Sequence, residues 1–436
     1  MPIDLVTATI LIFGSLILLM ALSLPIAFTL GLVGFLGLYF LASPTVAVRA
    51  VGIQIYSVPT SFTLLAAPLF ILMAQIIILS GLGARLFSAM ERMLSGTPAA
   101  LALASLGAGT VFAAATGSST ASCATIGPVA LAEMKKRRYD LGFAAGAVAG
   151  AGGLAIVIPP SVPMIVYGFV TETSVAKLFL AGFLPGILMA SFMAIYAMVR
   201  VWRNPKIAPP TPGLPLKERF KALLEIWPLL VLITMVLGSM YGGIATPTEA
   251  AAVGVLGSLL LAVLYGGFTL GKLKDALVTT AHTTSFVFTI VVGALVFGFL
   301  LSYLRLPEAF SEAVVRAGLE PWQFLLAVNI LLLILGCLMD GLTILLVAIP
   351  IVVPPLLAAG YDPIWLGLVL IINIEIGMLT PPVGMNLFVI SGIGKPFGLT
   401  FDRVARGAFP FILAQMAAWI LVMLIPDIAL WLPRTM

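Results

Sequence analysis

Gly152-Gly153-Leu-Ala-Ile-Val-Ile-Pro159-Pro160-Ser161 and Gly377-Met-Leu-Thr380-Pro381-Pro382-Val-Gly384 interrupt two otherwise apolar runs, and they decide how the chain is read. Adjacent prolines remove two amide donors and push the preceding residue out of the helical region, so no helix runs through either stretch. Each is expected to be two half-helices joined by unwound backbone. The carbonyls and helix ends freed there need protein, water or a bound ion as partners. The interruptions are also copies of each other. Tyr139-Asp140 precedes the first and Tyr361-Asp362 the second at an offset of 222 (361 − 139), and Pro128 meets Pro350 at the same offset. Farther on, Gly182-Phe-Leu-Pro185 matches Gly407-Ala-Phe-Pro410 at 225 (407 − 182).

Hydrophobic residues are 61% of the 436 and charged residues 9%, more apolar surface than a soluble domain could hide. The bilayer must be the solvent for most of the chain. A duplication with Gly- and Pro-interrupted segments at matching places then points to a secondary transporter with its site at the breaks. The net charge of +5 includes no long basic cluster interleaved with aromatics, which argues against a nucleic-acid partner. Cys123 and Cys337 lie in apolar surroundings and read as small buried residues. The first apolar run, residues 5–22, lacks a preceding basic region and is expected to be a membrane helix rather than a removed signal.

Each half reads as six hydrophobic elements: residues 5–22, 25–41, 62–79, 103–134, 141–172 and 176–199, then 226–241, 247–264, 284–301, 324–356, 363–394 and 404–425. Four in each half match the ~20 residues a bilayer needs. The run 103–134 does not, because Thr116-Gly117-Ser118-Ser119-Thr120 divides it into arms too short for a core of ~30 Å. It is expected to be a re-entrant hairpin with a protein-shielded tip. Its counterpart turns at Met339-Asp340-Gly341-Leu342-Thr343, with Asp340 aligned on Ser118. The fold expected is an all-α membrane protein of two inverted repeats. Each repeat has about five spanning helices, one broken at Pro-Pro, and one re-entrant hairpin. The units are 1–200 and 225–436, joined by a Pro- and Lys/Arg-rich linker at 201–224.

Tracing this topology leaves only Arg49, Lys177, Arg305, Arg316 and Arg434, of 22 basic residues, on one side. The richer side is then cytoplasmic, with both termini outside. Residues 83–95 carry an amphipathic pattern suited to a helix at the membrane interface.

The tips and breaks together would make a polar chamber. Ser118, Ser119, Thr120, Asp340, Thr343, Thr380 and Asn386 offer side-chain oxygens, and the backbone about residues 153–160 and 377–382 offers carbonyls. Hard cations take oxygen ligands, while half-helix N-termini favour anions. Neither tip nor break contains Lys or Arg, so an anionic substrate would be neutralised by bound cations and helix N-termini. That favours Na⁺ binding before or with substrate. Ser118 and Asp340 serve equally well as N-caps of the outgoing hairpin arms, and capping is compatible with ion contact. Glu375, inside the second broken helix, is either a coupling group, including a proton carrier, or a structural contact. Glu249, two residues after Pro247, belongs at a membrane face, and His282, the single histidine, at an interface.

ATGSSTASCATIGPVALAEMKKRRYD, GGLAIVIPPSVPMIVYG, MDGLTILLVAIPIVVPP and NIEIGMLTPPVGMNLFVISG, in that order, resemble the large membrane (M) subunit of tripartite ATP-independent periplasmic (TRAP) transporters over nearly the whole chain. The resemblance implies a Na⁺-driven, elevator-type importer of an organic acid in a bacterial inner membrane and no enzyme activity. Its partners would be a small four-helix membrane subunit (Q-type) and a periplasmic substrate-binding protein (P-type). It implies no cofactor beyond Na⁺ as the coupling ion. It places one ion site at Thr116, Gly117, Ser118, Ser119 and Thr120 with Gly153, Pro159, Pro160 and Ser161. The other falls at Asp340, Gly341 and Thr343 with Thr380, Pro381, Pro382 and Gly384, and Asn386 adjoins it. Ser118, Ser119, Asp340 and Thr380 are the expected Na⁺ ligands. The rival is a proton-coupled organic-acid carrier working without a binding protein, with Glu375 as its suspect. A buried serine hydrolase at Ser118 lacks a matching base in a chain with one histidine.

Overall fold

Ser43, Ser118, Asp140, Ser174, Thr246, Thr269, Asp340, Asp362 and Thr400 each stand just ahead of a helix and accept a hydrogen bond from its first turn. Short oxygen-bearing side chains satisfy amides that a helix start leaves open, so much of the segmentation is written locally. The computed structural model describes residues 4–265, 268–316 and 318–436; residues 1–3, where the first expected unit begins, lie outside these.

The first half contains α1 (Leu5–Ala21), α2 (Ile26–Leu41), α3 (Pro44–Thr60), α4 (Ala66–Leu79) and α5 (Leu82–Met93). A hairpin of α6 (Ala100–Thr116) and α7 (Ser119–Lys136) follows, then α8 (Leu141–Gly153), α9 (Val162–Val170) and α10 (Val175–Arg203). The second half contains α11 (Leu216–Tyr241), α12 (Pro247–Leu264), α13 (Leu270–Tyr303) and α14 (Leu306–Arg316). The hairpin α15 (Pro321–Gly336) and α16 (Gly341–Ala358) is followed by α17 (Pro363–Met378), α18 (Met385–Gly394), α19 (Phe401–Leu424) and α20 (Asp427–Arg434). The described residues form an all-α protein. By length and apolarity α10, α11, α12, α13, α16 and α19 each suffice to cross a membrane, and α4 with α5 pass as a pair bent by 67°.

Both Pro-Pro stretches break their helices, and both Pro-Pro bonds are cis. Positions 222 apart have the same local role: Ser118 and Asp340 cap the outgoing hairpin arms, and Asp140 and Asp362 cap the helices leading to the breaks. Several boundaries differ from expectation. The linker is shorter than 201–224, because α10 runs to Arg203 and α11 begins at Leu216. The span expected at 284–301 belongs to a helix of 34 residues, α13, which starts amid Lys272, Lys274 and Asp275. A hydropathy window stops at those charges, but a helix does not. Six elements per half also undercounts: α3 and α14 were absent from that reading. The hairpin arms run to 16 to 18 residues, ~24–27 Å of helix and still short of a ~30 Å core, although α16 passes for a span by length and apolarity.

The bend after α4 turns α5 into an amphipathic segment that buries Leu82, Leu86, Phe87, Ala89 and Met90. Arg92 pairs with Glu225 of α11, and Glu91 with Arg137 beyond the end of α7. Close approach elsewhere rests on missing side chains. Where α8 crosses α19, a Cβ on Gly407 would stand 1.9 Å from the carbonyl oxygen of Gly142, and one on Gly146 2.1 Å from that of Gly407. Small residues let helices meet backbone to backbone in an apolar solvent, where no hydrophobic drive pulls them together.

Candidate functional site

The first hairpin turns at Gly117, which has φ +59°; a Cβ there would also stand 2.5 Å from the carbonyl oxygen of Pro160. The tip therefore rests directly on the first break. At the second tip, Gly384 of the second break donates its N–H to the Cys337 carbonyl at 3.0 Å. A Cβ on Gly341 would lie 2.9 Å from Sδ of Met378. Each tip thus sits on the break of its own half.

Both tips open on one cavity of about 530 Å³. Thr116, Gly117, Ser118, Ser119 and Thr120 line it from the first tip, and Asp340, Gly341 and Leu342 from the second. Val162 and Pro163 contribute from the first break, and Met378 and Met385 flank the second. Opposite them stand Gln75 of α4 and Thr283 and Val287 of α13. The first turns of α7, α9, α16 and α18 all reach this wall, as do the C-terminal residues of α6 and α17. Helix starts present amides and a positive dipole end, and helix ends present carbonyls, so one chamber offers partners for an anion and for a cation. Asp340 is the only charged residue among the described residues lining it.

The individual side chains divide into groups. Ser118 Oγ accepts from the Ala121 N–H at 3.4 Å and lies 3.4 Å from Thr120 Oγ1. Asp340 Oδ1 accepts from the Thr343 N–H at 3.1 Å. The capping role of both is present, and both also face the cavity. Thr116 Oγ1 donates to the Phe112 carbonyl at 3.0 Å and lies 2.9 Å from Ser122 Oγ. The hydroxyls of Ser161 and Thr380 donate to the carbonyls of Ile156 and Ile376, both at 2.7 Å. Thr343 Oγ1 and Asn386 Oδ1 are buried without a partner. Gly153, Ser161 and Asn386 are buried among the breaks, and Pro159, Pro160, Thr380, Pro381, Pro382 and Gly384 lie outside the cavity lining. The expected Na⁺ ligands are thus divided: Ser118, Ser119 and Asp340 share the chamber wall, and Thr380 is not among its lining residues.

Glu249 closes a capping box with Thr246 at the start of α12, and His282 is exposed on α13. Residues that sequence reasoning passed over include Gln75 and Thr283 on the opposite wall. They also include Asn373, which donates to Asn329 Oδ1 at 2.8 Å, and Gln415, whose Nε2 donates to the Gly150 carbonyl at 3.3 Å. A polar amide inside an apolar helix is the signal that marks Gln75, Asn329, Asn373 and Gln415.

Paired hairpins, paired broken helices and a shared chamber, mainly apolar with its polar groups gathered at the two tips, define a membrane transport protein. The fold resembles that of MtrF, the Neisseria gonorrhoeae protein described as illuminating a class of antimetabolite efflux pumps. The TM-score is 0.61 and the identity 13%, covering 90% of this chain and 85% of that one. The family model described as "Tripartite ATP-independent periplasmic transporter, DctM component" matches residues 13–428, and the chain belongs to that family. It is 38% identical over 411 residues to the C4-dicarboxylate TRAP transporter large permease protein DctM of Pseudomonas aeruginosa, covering 93% of this chain and 94% of the relative. It is 32% identical to the isethionate TRAP transporter permease protein DctMQ of Oleidesulfovibrio alaskensis, covering 96% of this chain and 65% of that longer protein. The resemblance read from the four motifs is borne out, and the relatives are transporter permeases rather than enzymes.

Proposed function

We propose that this chain is the large permease of a Na⁺-driven importer of an organic acid, working by an elevator movement in a bacterial inner membrane. The carrying observation is the chamber: both tips and the first turns of four helices meet at one space where hydroxyls and one carboxylate stand in a mainly apolar wall, and Asp340 is the only charge among the described lining residues. An organic anion bound there finds helix starts but no Lys, Arg or His among the described lining residues, so co-bound cations are the natural neutralising partners. The substrates in the relatives' names, a C4-dicarboxylate and isethionate, are anions at neutral pH and fit this balance.

In this reading both hairpins and both broken helices form the moving unit. The opening two helices of each half, α1, α2, α11 and α12, with a small Q-type membrane subunit, form the scaffold. The longer DctMQ relative leaves room for that subunit as part of one chain. A periplasmic binding protein delivers substrate, and both termini face the periplasm. Cation and substrate couple because together they stabilise the closed-tip, mobile unit better than either alone; a ligand shifts an equilibrium only by its differential affinity for the states.

The test is uptake of labelled organic acids into proteoliposomes holding this chain and its small subunit, with and without a Na⁺ gradient and the binding protein. Uptake that needs both supports the proposal. Uptake driven by a pH gradient alone, without the soluble protein, overturns it in favour of a proton-coupled carrier.

A further inference from the structure

Glu375 lies behind the chamber wall and is 0% exposed. It sits in the last turn of α17, just before the second break. Its two carboxyl oxygens reach different parts of the molecule. Ser119 Oγ, at the start of α7 on the first hairpin tip, donates to Oε2 at 2.5 Å. Asn386 Nδ2, at the start of α18 just past the second break, donates to Oε1 at 2.8 Å. The end of α8 closes over the same group, since a Cβ on Gly153 would stand 2.8 Å from Oε1. One side chain thus joins the first tip to both sides of the second break, across 256 residues of sequence. Among the described ion pairs, none involves Glu375.

We propose that Glu375 is a positioning residue that latches the first hairpin tip to the second break, so that the two halves of the chamber wall take up their binding geometry together. The chemistry requires two hydrogen bonds rather than a titrating acid. A glutamine can make both: its oxygen accepts from Ser119, and its amide donates to Asn386 Oδ1, which is buried without a partner and faces the group after a turn of the amide. Alanine makes neither. Released from its latch, the tip would open more often, and an ion bound at one tip would no longer help to order the other.

Two measurements on the complete transporter test this. The first places a cysteine at Thr120, half-buried on the chamber face of the tip, and follows maleimide labelling against the parent chain, whose Cys123 and Cys337 are buried. Labelling is expected about tenfold faster with Glu375→Ala, intermediate with Ser119→Ala and near the parental rate with Glu375→Gln. The second follows uptake against Na⁺ concentration and rests on the proposed Na⁺ coupling. Glu375→Ala should lower the Hill coefficient towards 1 and raise the half-saturating Na⁺ concentration about tenfold, while Glu375→Gln keeps the parental Hill coefficient. Parental labelling in both Glu375→Ala and Ser119→Ala overturns the latch. So does a folded Glu375→Gln protein that behaves like Glu375→Ala, because the acid itself would then be needed. If the parent proves indifferent to Na⁺, the proposed coupling falls, and the labelling rates still decide the role of Glu375.

Discussion

Asp340 caps α16 and is proposed to hold a cation, and one pair of substitutions separates the two roles. Its carboxylate caps α16 through the Thr343 N–H at 3.1 Å, and it is the only charge on the described chamber lining. Asparagine caps about as well as aspartate, whereas losing a cap to alanine costs about 1 kcal/mol. Asp340→Asn therefore removes the charge and keeps the helix start, and Asp340→Ala removes both. A unit charge about 4 Å from a bound cation contributes ~1 kcal/mol in a water-like setting and ~4 kcal/mol at an effective dielectric constant near 20. The chamber wall lies between these limits, so the half-saturating Na⁺ concentration should rise at least about fivefold in Asp340→Asn, at about 1.4 kcal/mol per tenfold. Both variants should show that rise in Na⁺-dependent proteoliposome uptake. Only Asp340→Ala should also lose thermal stability, read by the melting of purified protein in detergent. Parental Na⁺ dependence and parental uptake in Asp340→Asn would refute the assignment and leave Asp340 as a cap alone.

Gly407→Ala sets a Cβ against the backbone of Gly142, which cannot yield as a side chain does; a loss of at least about 1–3 kcal/mol in unfolding experiments is expected. Gly52→Ala, with nothing within 4 Å, is its control and should stay within about 1 kcal/mol of the parent. Thr283→Val on the wall opposite the tips should raise KM for the organic acid severalfold while leaving the half-saturating Na⁺ concentration close to parental; the reverse pattern would move Thr283 to the ion sites. Ser118→Ala loses the cap contact to the Ala121 N–H and is expected to weaken Na⁺-dependent uptake more than membrane insertion, measured as uptake per inserted molecule.

Sequence alone determined the features governed over three or four residues. Two prolines in a row end a helix wherever they stand, and Pro159-Pro160 and Pro381-Pro382 do so. A cap needs one short oxygen-bearing residue, so Ser118, Asp140, Asp340 and Asp362 marked their helix starts at the expected offset. The same kind of local signal, Ser43 followed by Pro44, marks α3, which hydropathy passed over because Arg49 and Gln54 dilute it. Tertiary structure decided which surfaces meet. Ser119 and Glu375 are 256 residues apart, and Asn329 and Asn373 are 44 apart. Nothing local sets either partner, since each side chain would be satisfied by any buried donor or acceptor. In a chain rich in small and apolar residues, many helix pairings are nearly equivalent by composition. Backbone-level fit, as between Gly142 and Gly407, selects one of them, and that choice brings both tips to a single chamber and places Glu375 behind its wall.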